Sequence, residues 1–132
     1  MKKIDLEKYV GFVDNLTSNP SKNFNLYIAE LNRLHSLGCN IERLDCALTG
    51  LNSESGEALD LVKKLKYHSK DWNEDIKVEL IKEAGDIIFY WINLCLALDL
   101  DPNEIIAVNV EKLQGRHPAG VFNPFYDSKN EK

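Results

Sequence analysis

Three cysteines in 132 residues, Cys39, Cys46 and Cys95, are too few and too scattered to frame a fold. Their number is odd and no C-x-x-C occurs, which argues against a disulfide framework and for a reducing compartment. Cys46 and Cys95 fall in apolar helical patterns, where a free thiol serves as a small hydrophobe. Long apolar runs are lacking as well, and nothing approaches the ~18 residues of a membrane span. "MKKIDLEKYVGFV" starts basic, but acids interrupt its apolar positions, so no signal peptide is expected. Positive charge is also scarce. Sixteen Lys and Arg face 21 Asp and Glu, for a net charge of −5, which argues against sequence-blind binding to nucleic acid. The expectation is a cytoplasmic protein whose partners include neither membrane nor nucleic acid.

What is present reads as one globular domain: 44% hydrophobic and 28% charged residues in a chain long enough for a core. No convincing strand pattern occurs. Five helical segments are predicted, at about residues 5–16, 25–37, 40–67, 74–98 and from 102 to near Gly115. "TSNPSKN" and "HSKDWN" break the pattern, Gly38 stops the second helix, and Asn40 caps the third. In "DLDPNE", Asp101 caps the fifth helix, Pro102 takes its first position, and Glu104 completes a capping box. The fold class is all-α, a bundle of about five helices with the two long ones antiparallel. Residues 1–39 are N-terminal helices, 40–116 carry the chemistry, and 117–132 form an aromatic-containing tail that ends in polar residues expected to fray.

Two of those helices carry matched acids. In "LNSESGEALDLVKK", an apolar stripe of Leu48, Leu51, Ala58, Leu59, Val62 and Leu65 has Glu54 and Glu57 at its edge, with Gly56 between them. In "KEAGDIIFYW", the stripe runs through Leu80, Ala84, Ile87, Ile88, Trp91, Leu94, Cys95 and Leu98. Glu83 and Asp86 lie on its same-handed edge, with Gly85 between them. Tyr67 lies ten positions after Glu57, and Glu83 ten positions after Asn73. Each arm is therefore about 15 Å long, and an antiparallel pair brings both motifs to one level. Four converging carboxylates repel unless some are protonated or a hard divalent cation binds them. The bland alternative is two solvated faces that merely carry acids. A di-iron site would need Glu-x-x-His, yet Asn32, Leu65 and Gln114 stand three positions before His35, His68 and His117. With no Cys/His cluster, zinc fails too.

Cations stand where phosphates would need them. Lys64 follows Glu57 by seven residues on the same edge, about 10 Å along the helix. "NVEKLQGR" sets Asn109, Lys112 and Arg116 on one face of the fifth helix, a stripe suited to metal-bridged polyphosphate. Taken singly, each Lys or Arg is more often a solvated charge, and Lys112 and Arg116 also read as partners of the helix dipole. Tyr90 and Asn93 follow Asp86 along its edge, within reach of a base or sugar, whereas Phe89 and Trp91 fit a core.

"GLNSESGEALDLVKK", "EAGDIIFYW" and "NVEKLQGRHPAGVF" together resemble the MazG-like, all-α nucleoside triphosphate pyrophosphohydrolases. The shared pattern is E-x-x-E, a gap, then E-x-x-D; here 25 residues separate Glu57 from Glu83. The likeness runs from about residue 40 to residue 122. The preceding segment, with "FVDNLTS", is similar to short single-domain versions carried by phages, which would place the protein in the host cytoplasm. Ser53 stands where many relatives have a second acid.

The resemblance implies hydrolysis of a (deoxy)nucleoside triphosphate to monophosphate and pyrophosphate. It implies Mg²⁺, with Mn²⁺ as a substitute, held by Glu54, Glu57, Glu83 and Asp86, and a homo-oligomer, dimer or tetramer, whose site is built from more than one bundle. Glu54, nearest the apolar edge, is the first choice for general base. Gly56 and Gly85 are expected to give clearance to a neighbouring helix or to substrate. A dUTP, dCTP or phosphoribosyl-ATP hydrolase, or a non-catalytic nucleotide-binding helical module, are the alternatives.

Overall fold

The structure, a computed structural model, describes residues 5–122 and 124. Five α-helices and one 3₁₀ turn make it up, with no strand among the described residues. The chain divides into two compact units, residues 1–41 and 42–132. The polar end of the tail, 125–132, lies outside the described residues.

In the first unit, α1 (Leu6–Leu16) starts where the Asp5 carboxylate accepts the Lys8 N–H at 3.2 Å. The segment expected as a plain turn holds a 3₁₀ turn, Asn19–Ser21, around Pro20. The Lys22 ammonium ties that turn to α1 by donating to the Asp14 carbonyl at 2.6 Å. α2 (Phe24–Ser36) is capped by the Asn23 side chain, which accepts the Leu26 N–H at 3.1 Å. It stops at Gly38, whose φ of +83° suits a residue without Cβ. There the Gly38 N–H donates to the His35 carbonyl and the Cys39 N–H to that of Leu34, at 2.9 and 3.1 Å. These are the two crossed bonds of a Schellman closure.

The second unit is built on α3 (Ile41–Tyr67), α4 (Glu74–Ala97) and α5 (Pro102–Arg116). Asn73 caps α4 by accepting the Ile76 N–H at 3.0 Å. α4 ends as α2 does, with Asp99 at φ +54° in the glycine position and the Leu100 N–H donating to the Cys95 carbonyl at 3.1 Å. α5 opens with the expected capping box: Asp101 accepts the Asn103 N–H at 2.7 Å, and Glu104 reaches back to the Asp101 N–H at 3.3 Å. α3 and α4 are antiparallel, because Gly50 lies against Tyr90, Glu54 against Glu83, and Lys64 in the field of Glu79.

The core is thinner than the stripes suggest. Among the described residues, only Ala47, Ile76 and Cys95 are buried hydrophobics. Leu59 is 67% exposed and Ile88 59%, and Leu48, Val62 and Leu98 also face outward. Cys46, expected to act as a small buried hydrophobe, is exposed. Periodicity marks the apolar face of a helix but not what covers it. Among the described residues, no helix is long and apolar enough to cross a membrane.

Candidate active site

α3 and α4 cross their acidic edges midway along their lengths. Carboxylate oxygens of Glu54, Glu57 and Glu83 come within 4.8 Å of one another. Glu54 and Glu83 are half-buried and Glu57 is exposed. Partial burial first, and then the charges of Glu57, Asp86 and Glu83 with a hydrogen bond to Glu83, raise the Glu54 carboxyl above its ordinary 4.5. Asp86 thus acts on this cluster through its charge, yet it stays outside the three-way contact and is exposed. Its side chain is one methylene shorter than that of glutamate.

This donor set fits a hard divalent cation. The donors are all carboxylate oxygens, they are close enough to share one ion, and partial burial followed by their mutual repulsion raises Glu54 above its usual range.

Beside the cluster, an open groove of about 440 Å³ continues along both helices, lined among others by Glu57, Asp60, Lys64, Glu79 and Glu83. Asp60 and Glu79 are the residues that motif reading missed. The signal was present, since Asp60 follows Glu57 by three residues and Glu79 precedes Glu83 by four, which keeps each on its acidic edge. The Asp60 carboxylate is forked between two lysines. Oδ2 lies 2.8 Å from the Lys64 ammonium, and Oδ1 pairs with Lys63. Those hydrogen bonds pull the Asp60 carboxyl down to about 2. The same pairing, aided by the charge of Glu79, raises the Lys64 ammonium.

The remaining candidates are less concentrated. Asn109 and Lys112 on α5 are exposed, and Arg116 is half-buried at its end. Asn93 donates to the Phe89 carbonyl of its own helix at 3.2 Å. The Tyr90 ring stacks edge-on with Phe89 and fills the space over Gly50. That contact corrects the expectation that Gly56 and Gly85 make room for a neighbouring helix; the clearance for substrate remains open to Gly56, which lines the groove. A Cβ at Gly50 would fall inside the Tyr90 ring, whereas one at Gly56 or Gly85 meets no atom of this chain within 4 Å. The helix-to-helix clearance belongs to Gly50, because the Tyr90 ring of α4 occupies the space a side chain there would fill.

A model of the MazG nucleotide pyrophosphohydrolase domain matches residues 44–121. The Gene 37 protein of Mycobacterium phage L5 is 32% identical over 92 residues, spanning 68% of this chain and 80% of the phage protein. No solved structure matches. The matched span takes in both acidic pairs, the groove between them and all of α5. The chain whose two long helices converge on those carboxylates belongs to the MazG nucleotide pyrophosphohydrolase family.

Proposed function

We propose that this protein hydrolyses (deoxy)nucleoside triphosphates to a nucleoside monophosphate and pyrophosphate, by attack of water at the α-phosphorus. The observation that carries the reading is the meeting of Glu54, Glu57 and Glu83 from two helices within 4.8 Å. Glu54, Glu57, Glu83 and Asp86 would hold Mg²⁺, or Mn²⁺ in its place. When bound, that ion supplies charge neutralisation for the phosphate oxygens and the leaving pyrophosphate.

The chain's own groups do the rest. Glu54, half-buried and raised above its ordinary value, is best placed to orient water and accept its proton. Lys64 donates to a phosphate from the groove wall, and Asn109, Lys112 and Arg116 receive the others as a donor stripe. Tyr90 and Asn93, one and two turns beyond Asp86 on its edge, stand for contact with sugar or base. The active form is a homo-oligomer, dimer or tetramer, working in the cytoplasm of a host cell if the chain is phage-borne as its relative is.

Incubation with a panel of nucleoside triphosphates and Mg²⁺, followed by chromatography of the products, tests this directly. Monophosphate and pyrophosphate in equal amounts are expected. Orthophosphate and diphosphate as first products would place the attack at the γ-phosphorus and reject the reading.

A further inference from the structure

The groove presents a chemical difficulty for a triphosphate. Glu57, Asp60, Glu79 and Glu83 line it, and Lys64 is the cation among its lining residues. A lysine side chain is long and spreads over many rotamers unless something fixes it. Here two helices bear on it: Asp60 on α3 holds it by a 2.8 Å hydrogen bond, and Glu79 on α4 adds its charge.

We propose that Asp60 is a positioning residue, whose forked carboxylate holds the Lys64 ammonium on the groove wall as the donor that receives a substrate phosphate. This rests on the pyrophosphohydrolase reading above. An ammonium has three N–H donors, and the bond to Asp60 leaves two for phosphate oxygens. A donor already fixed in place loses less freedom when the ligand arrives, which favours binding. A purely stabilising role is a poor account of the same pair. The side chains of Asp60 and Lys64 are 39% and 40% exposed, and ion pairs so open to water contribute little to folding. The second arm of the fork, Lys63, lies outside the groove lining and serves to hold the carboxylate itself.

Steady-state kinetics of the full chain with a hydrolysed triphosphate and Mg²⁺ test the proposal through a double-mutant cycle. Lys64→Ala should raise KM about tenfold. Asp60→Asn should raise it several-fold with kcat within about twofold of the parent, and the double variant should be no worse than Lys64→Ala alone. Asp60→Glu, which keeps a charged i,i+4 partner for Lys64, should recover most of the loss, and Lys63→Ala, which removes only the second arm of the fork, should raise KM by less than Asp60→Asn does. Unaltered KM in Asp60→Asn, or single effects that multiply in the double variant, would overturn the assignment. So would a drop of more than about 5 °C in the Asp60→Asn melting temperature, which would make the pair structural. If the unsubstituted chain releases pyrophosphate from no nucleotide, the underlying reading fails as well; a cycle that fails on an active enzyme strikes the Asp60 assignment alone.

Discussion

At the scale of single residues, the two perturbed carboxylates behave oppositely, and each sign is testable. Glu54 is raised above 4.5, so the folded chain holds that proton more tightly than the unfolded one. The resulting stabilisation is fully present below pH 4.5 and is lost as the pH rises through the folded value. In chelator at pH 7, Glu54→Gln should therefore melt higher than the parent, and near pH 4 the two should coincide; thermal melts at both pH values decide it. Adding Mg²⁺ at pH 7 should raise the parent by ligand linkage and the variant less. Asp60 is pulled from 3.8 to about 2, so its contribution stands above pH 3.8 and disappears only as the pH falls through 2. The Lys64 clamp is thus intact throughout any neutral assay. At the remaining acids, Glu57→Gln and Asp86→Asn should each abolish pyrophosphate release while the helical circular-dichroism signal is kept. Full activity in both would remove the four-carboxylate site.

At the scale of helices, the glycines separate packing from solvent. Gly50→Ala drives a methyl group into the Tyr90 ring and should cost about 1–3 kcal/mol, a fall of several degrees in melting temperature. Gly56→Ala meets open space and should gain roughly 0.5–1 kcal/mol from helix propensity. Melting curves that rank the two the other way would mean that α3 and α4 pack differently. Helix ends were legible in the sequence to within a residue or two, because caps are local chemistry: Asp5, Asn23, Asn73 and Asp101 each bind an N–H two or three residues on. The register of α3 on α4 was legible from the equal arms beside their turn. The 3₁₀ turn at Asn19–Ser21 was not, since a proline among turn formers permits several conformations. Nor was the thin core, because Leu59 and Ile88 follow the apolar period whether or not anything covers them. Asp60 and Glu79 do not stand out in the paired motifs, because a groove is a property of both helix edges together.

At the scale of the whole molecule, the exposed apolar residues of the second unit support the proposed homo-oligomer. Leu48, Leu59 and Val62 on α3, with Ile81, Ile88 and Phe89 on α4, are large and exposed. Each one removed from water contributes roughly 1.5–3 kcal/mol, and so many large apolar side chains left in water favour an association that covers them. Light scattering at low micromolar concentration should find at least a dimer; a stable, active species near 15.1 kDa would contradict this. The junction between α4 and α5 is closed by local bonds on both sides. Backbone bonds close α4 at Leu100, and the capping box starts α5 at Asp101, so those bonds leave the joint little slack. α5, with Asn109, Lys112 and Arg116, is thus joined closely to the helix that bears Glu83 and Asp86. On the reading proposed above, the acids and the cations of these two helices would therefore keep their spacing through a catalytic cycle.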